Sequence, residues 1–265
     1  RLFPRPCGEE QPDESDVWKR PVVTATSRSP IAACLASQYA GWKVSMNGFF
    51  AMASGPIRAA IGKEPLFDHI GLRERPAAVI GLLESASLPP EETIASLAEA
   101  AGVPPQQMTL LVAPTASPAG TLQVVARSLE TALHKLETLG FDLSLVRAGQ
   151  GRAPLPPVPE DDLTAIGRTN DAVLYGSHVV LEVDADEALL DAVGAAMTSS
   201  ASVDHGKTFA SLFEAAGGDF YSIDPAIFAP AVVDLFNPQT GDCLRFGQLE
   251  VGLVRKSFGL EPSET

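Results

Sequence analysis

Residues 121–136, Thr-Leu-Gln-Val-Val-Ala-Arg-Ser-Leu-Glu-Thr-Ala-Leu-His-Lys-Leu, decide how this chain is read. Leu122, Val125, Leu129, Leu133 and Leu136 recur at helical spacing, which predicts one amphipathic helix stopped by Gly140. Such a stripe has to be buried against another element, and the flanking sequence supplies candidates. Residues 77–83 and 108–113 are continuous apolar runs, the pattern of strands buried on both faces. The second run enters Pro114-Thr115-Ala116-Ser117-Pro118, a polar loop that ends in a serine-proline helix start. Strand, polar loop and helix in this order place the loop at the carboxyl edge of a sheet, where open α/β sheets bind ligands.

Two residues of the helix stand off its apolar stripe. Arg127 and Glu130 are three apart and therefore neighbours on its surface. An exposed ion pair of this kind contributes under about 1 kcal/mol and is common. A buried one can hold a carboxylate against a guanidinium and present it to a water molecule. Polar Thr115, Ser117 and Gln123 nearby favour the second reading.

Outward from this unit, residues 21–26 read as a strand, and Ser29-Pro30 opens a helix expected to reach residue 39 or 40. Residues 48–56 are small and turn-rich after an aromatic pair and lead into a helix over 57–61. A short helix is expected over 90–101, stopped by Gly102. Beyond Gly140 the texture changes. Residues 143–147 read as a strand, and the proline-rich 153–159 as a crossover. Residues 171–175 and 178–183, split by Gly176-Ser177, read as a hairpin, and 207–216 as a helix. A second hairpin is expected over 232–246 around Asn237-Pro238-Gln239-Thr240-Gly241-Asp242, then a helix over 250–258. The expected class is mixed α/β in two lobes with a cleft between them: a mobile arm over 1–20, a first lobe over 21–150 carrying the Arg127/Glu130 helix, and a second over 151–265.

Composition narrows the function. Hydrophobic residues make up 45% and charged residues 20% of 265, as in globular proteins. The formal charge of −14 argues against nucleic acid or an anionic membrane as partner, because both require basic clusters. Cys7, Cys34 and Cys243 are few, odd in number and far apart, which predicts free thiols in a reducing, cytoplasmic setting. His69, His134, His178 and His205 are scattered without zinc-type spacing, so no metal site is expected. Neither a Gly-x-Ser-x-Gly elbow nor a Gly-x-Gly-x-x-Gly turn occurs, which sets aside serine-hydrolase and dinucleotide readings.

Two further segments are candidate binding sites. Ser54 and Gly55 form a turn at a helix start beside Arg58, a possible anion cradle as well as an ordinary helix entry. Gly167-Arg168-Thr169-Asn170-Asp171, with Tyr175 beyond, is a polar cluster that can hydrogen-bond a heterocycle or simply cap a turn.

Taken together, the chain resembles the methenyltetrahydromethanopterin cyclohydrolases of methanogens and methylotrophic bacteria. The resemblance rests on residues 34–42 (CLASQYAGW), 49–56 (FFAMASGP), 111–117 (LVAPTAS) and 123–136 (QVVARSLETALHKL). It continues through 167–176 (GRTNDAVLYG), 219–230 (DFYSIDPAIFAP) and 257–260 (SFGL), in register. It implies a two-lobed α/β subunit, a homotrimer, and a pterin substrate in the inter-lobe cleft, with no metal and no cofactor apart from the substrate. Family members carry a longer N-terminal region, so that part of the fold is expected to be shortened here. The resemblance assigns catalysis to Arg127 and Glu130. Ser54, Gly55 and Arg58 would face the tail of the carrier, and Gln123, Arg168, Thr169, Asn170, Asp171 and Tyr175 would complete the substrate site around the pterin. The rivals are a non-catalytic reduced-pterin-binding protein, a subunit of a one-carbon complex, and a cyclohydrolase acting on a folate carrier.

Overall fold

The computed structural model of the protein describes residue 7, residues 19–39 and residues 41–260. The arm expected over 1–20 lies almost wholly outside the described residues. In chain order the elements begin with β1 (Val22–Ser27), a π-helical turn (Ile31–Leu35) and α1 (Ala36–Gln38). Then come β2 (Lys43–Met46), β3 (Phe49–Ser54), α2 (Ile57–Ile61), α3 (Pro65–His69), β4 (Val79–Glu84), α4 (Glu91–Ala101) and β5 (Met108–Ala113). After these follow α5 (Pro118–Val125), α6 (Ser128–Thr138), β6 (Val146–Pro154), α7 (Asp162–Leu174), β7 (His178–Val183) and α8 (Glu187–Gly194). The chain closes with α9 (Phe209–Ala215), β8 (Val232–Phe236), β9 (Cys243–Gly247) and α10 (Val251–Phe258).

The strands form two sheets, which makes the protein mixed α/β. The larger has the order β1-β6-β7-β8-β9, with β7 and β8 parallel and the other pairs antiparallel. The smaller has the order β2-β3-β4-β5, with β4 and β5 parallel across a crossover through α4. Residues 43–113 thus build the small sheet, while the large one takes β1 from before that segment and the rest from after it. β6 runs unbroken through residue 150, so a division there would cut a strand.

Burial explains the arrangement. Leu129, Leu133 and Leu136 of α6 pack on Val179, Leu181, Val233 and Leu235 of the large sheet. Helices α7, α9 and α10 gather Tyr175, Phe209, Val254 and Phe258 into a second cluster. Under the small sheet, Val44, Ala51, Val79 and Leu83 meet Ile57 of α2 and Leu97 of α4. Its other face is open: Phe50 and Leu111 are 55% exposed and Ile80 47%. The run over 77–83 is therefore buried on one face, not two. The expectation fails because helices cover the small sheet on one side only within this chain.

Three further expectations are corrected. The turn-rich 48–56 is strand β3, paired with β2 on one side and β4 on the other. Asn47 and Gly48, at φ 52° and 75°, make the two-residue turn into it. Residues 171–175 end a helix rather than opening a hairpin. Asp161 caps α7 by accepting from the Thr164 N–H at 2.8 Å, and Ala165, Thr169 and Ala172 are buried at helical spacing. Finally, Cys7 and Cys243 are joined in a disulfide with Cα atoms 5.4 Å apart, so only Cys34 is a free thiol. Their separation of 236 residues hid the pairing from any spacing argument. Beside it Asp234 is fully buried, accepting from Arg245 Nε at 2.7 Å and from the Cys7 N–H at 2.7 Å, with His178 Nε2 at 2.9 Å. Burial pushes its carboxyl up, but Arg245 and His178 outweigh it and bring it down to about 2.

Candidate active site

The helix expected over 121–136 is two helices. Ser117 caps α5 by accepting from the Gly120 N–H, and α5 ends at Val125. The Arg127 N–H bonds the Val124 carbonyl in a tight turn, and the Arg127 carbonyl then starts α6 by accepting from the Thr131 N–H at 2.9 Å. Leu122 consequently leaves the stripe and is half exposed. The break puts Glu130 in the first turn of a new helix, where the positive end of the helix dipole favours an anion.

Arg127 Nη2 lies 3.3 Å from Glu130 Oε2. Glu130 is 2% exposed, so this is a buried pair and not a solvated surface one. Glu130 Oε1 has no hydrogen-bond partner, and neither have Arg127 Nε, Ser128 Oγ and Thr121 Oγ1. Four of the six such buried side-chain atoms among the described residues thus fall within 121–130, a concentration expected where water or substrate completes the network. An unpaired buried carboxylate oxygen costs upwards of about 1–3 kcal/mol, so the site favours a donor placed against it.

Around Glu130 lie groups that the π-helical turn and α1 deliver. The buried Cys34 thiol is pushed up to about 11 by desolvation and by the Glu130 charge. Tyr39 packs on His134 of α6 with ring centroids 4.5 Å apart. Its hydroxyl is raised by burial, then by Glu137 and Glu130, against the pull of Arg58. The Arg58 guanidinium sits 5.3 Å over the same ring and bonds the Tyr39 carbonyl.

A family model described as cyclohydrolase (MCH) matches residues 9–258. A methenyltetrahydromethanopterin cyclohydrolase of Rhodopirellula baltica is 46% identical over 243 residues, 90% of this chain and 73% of that protein. One from Methylobacterium sp. (strain 4-46) is 48% identical over 240 residues, 89% of this chain and 74% of its own. A third, from Methanococcoides burtonii, is 37% identical over 245 residues, 91% of this chain and 76% of its own. The chain belongs to the MCH cyclohydrolase family. The matched span contains Arg127, Glu130 and the other candidate catalytic and substrate-binding residues.

Within this cyclohydrolase chain those other residues have varied surroundings. Gln123 donates to Glu84 Oε2 at 2.9 Å, and Thr115 donates to the other oxygen of Glu84. Glu84 ends β4, so the carboxyl edge of the small sheet is polar and tied to α5. Ser54 is buried. Gly55, at φ 100°, donates its N–H to the Ser37 carbonyl at 2.6 Å, and a Cβ there would meet Leu82 Cδ1 at 2.8 Å. Arg58 is 1% exposed and paired with Glu64. An anion cradle at Ser54, Gly55 and Arg58 does not fit: the Gly55 N–H and the guanidinium already have partners inside the protein.

The α7 residues are likewise occupied, apart from Asp171 Oδ2, which is buried without a hydrogen-bond partner. Arg168 donates to the Ser257 and Pro157 carbonyls at 3.2 and 3.1 Å, and Asn170 to the Ile166 carbonyl at 2.9 Å. The Thr169 hydroxyl bonds the Ala165 carbonyl. Asp171 Oδ1 accepts from the Phe209 N–H at 2.8 Å, and the Tyr175 hydroxyl donates to the Lys207 carbonyl. Asp171 and Tyr175 thereby fasten the start of α9 to α7, which is a structural task. No hydrogen bond or ion pair joins this cluster to Glu130 among the described residues. Glu84 stands where the sequence puts it, at the ligand-binding edge after the 77–83 strand, whereas Cys34, Tyr39 and His134 were missed as neighbours of the site.

Asp171 gives a pH-dependent prediction. Burial pushes its carboxyl up to about 6, against the opposing pull of Ser257 and the Phe209 N–H. The folded state therefore keeps a proton that the unfolded chain has lost, so stability falls as pH rises from about 4 to 6 and is level above. Full expression of the shift corresponds to about 3 kcal/mol. Asp171→Asn keeps the acceptor for Phe209 and should abolish this slope in denaturant unfolding. An unchanged slope would show that the group titrates elsewhere.

Proposed function

We propose that this chain hydrolyses the methenyl bridge of 5,10-methenyltetrahydromethanopterin to the 5-formyl form, with Glu130 as general base and Arg127 as its holder. The observation that carries this reading is the buried carboxylate oxygen of Glu130 left without a donor. The methenyl bridge is an amidinium carbon, already cationic and electrophilic, so the protein must mainly position and deprotonate water. Glu130 Oε1 takes a proton from water as its oxygen bonds to the bridge carbon. The same proton passes to the departing nitrogen as the second carbon–nitrogen bond breaks. A negative carboxylate close to the cationic carbon adds electrostatic stabilisation. Arg127 holds the carboxylate in line, and Gln123, in the preceding helix, is fixed by Glu84.

The reduced-pterin carrier is the substrate, and the reaction needs no separate cofactor. A homotrimer accords with the open apolar face of the small sheet, since exposed patches of this kind mark interaction surfaces. A cytoplasmic setting accords with the chemistry, while the Cys7–Cys243 disulfide weighs towards a less reducing one. The test is the absorbance decay of methenyltetrahydromethanopterin, run beside methenyltetrahydrofolate. Fast decay of the first is expected. Tight binding without decay would replace the cyclohydrolase reading by a pterin carrier, and faster decay of the folate would reassign the substrate.

A further inference from the structure

Hydrolysis of the methenyl cation by water yields a neutral formyl product, an N–H on the departing nitrogen, and one proton left over. If Glu130 is the base, it passes the first proton it takes to the nitrogen, and it then takes the second from the hydroxyl as the formyl carbonyl forms, so the proton left over stands on a residue 2% exposed. The polar side of α6 offers it a way out besides the substrate side. We propose that His134 carries it from Glu130 along α6 to Glu137 and His69, which open on solvent, with Tyr39 holding the His134 ring. The proposal rests on the hydrolytic reading above.

The helix supplies the path. Arg127, Glu130, His134 and Glu137 are spaced three, four and three residues apart, so each is the surface neighbour of the next. They form a polar stripe beside the leucine stripe that packs on the large sheet. Side chains at these spacings have Cβ atoms about 5–6 Å apart, a gap that one water bridges where the side chains do not touch. At the far end Glu137 Oε1 lies 3.0 Å from His69 Nδ1, and His69 is 65% exposed. Both line a surface cavity of about 620 Å³ with Arg28, Asp142 and Ser144. The path thus starts at the buried carboxylate and ends in water.

Packing positions the middle of it. Tyr39 lies against His134 with ring centroids 4.5 Å apart, and the charges of Glu137 and Glu130 both reach its hydroxyl. Arg58, paired with Glu64, backs the other side of Tyr39, and Cys34 lies near Glu130 from the π-helical turn. Arg58, Glu64 and Cys34 beside Tyr39 and Glu130, and His69, Arg28 and Asp142 around Glu137, are charged or titratable groups that neighbouring elements bring to the stripe. Among them only histidine ordinarily changes charge near neutral pH and can accept on one nitrogen while donating from the other. A residue kept merely to pack on Tyr39 would not need that property.

The experiment compares wild type, His134→Gln and His69→Asn in methenyl-substrate decay, in dilute non-titrating buffer and with rising imidazole. Wild type should be fast and insensitive to imidazole. His134→Gln should lose about tenfold in kcat with KM nearly unchanged and regain most of the loss at high imidazole. His69→Asn, altered at an exposed side chain that leaves the core intact, should show a smaller loss with the same rescue. A purely structural role would lower the rate without rescue, and that result overturns the relay, as does wild-type turnover in both variants at low buffer. Absence of turnover in the wild type would instead overturn hydrolysis itself, and the relay with it.

Discussion

Glu130→Gln is expected to lower kcat by about three orders of magnitude while leaving the fold and substrate affinity nearly unchanged. The glutamine has the same shape, so it fits the same 2%-exposed position at the start of α6. Its carbonyl oxygen can still accept from Arg127, whose side chain is 20% exposed and keeps access to water. What disappears is the charge and the basic lone pair of Oε1. A positioned base contributes about 10²–10⁴, and a negative charge near the cationic carbon adds to that. The electrostatic part is lost in the same substitution, which places the expected effect in the upper half of the range. Circular dichroism and thermal unfolding should match the wild type. Near-normal turnover in a well-folded variant would remove Glu130 from the chemistry and leave it as a structural partner of Arg127.

Much of the fold was open to reading because local chemistry and tertiary structure agree there. Met108–Ala113 followed by Ser117-Pro118 reads as strand, loop and helix, and is so. Asn237 to Gly241 between two apolar runs reads as a hairpin, and β8 and β9 pair around it. Gly259, at φ 68°, ends α10 as a helix-stopping glycine should. The failures have a common cause: contacts from elsewhere in the chain override local pattern. Phe49–Ser54 is half small residues and weakly strand-like alone, yet β2 and β4 supply its hydrogen bonds on both sides. Propensity runs through residues 126–127 without interruption, but the helix breaks there. Of the site, Arg127 and Glu130 could be found because three-residue spacing is local information. Tyr39 and His134 could not, being 95 positions apart in sequence and joined only by folding.

The break between α5 and α6 sits against β6, and Gly151→Ala should show what that close approach is for. A Cβ at residue 151 would lie 2.5 Å from Ser128 Oγ, 2.6 Å from Leu129 N and 3.1 Å from Leu129 Cα. Two of those atoms are backbone in the first turn of α6, so a rotamer change cannot relieve the clash. The helix start must shift, at a cost of about 1–3 kcal/mol for overpacking. In a chain of this size that corresponds to a Tm lower by several degrees, at about 2–4 °C per kcal/mol. Turnover should suffer more than stability, because Glu130 follows Leu129 directly and moves with it. A misplacement of about 1 Å in a reacting group can reduce the rate about a hundredfold. Gly149→Ala is the matched comparison: its nearest contacts are Leu129 Cδ1 at 2.6 Å and Leu181 Cδ2 at 3.0 Å, both ends of side chains. It should lose similar stability but much less activity. Equal kinetic losses in the two variants, or wild-type turnover in Gly151→Ala, would show that the seating of α6 on β6 does not set the position of the base.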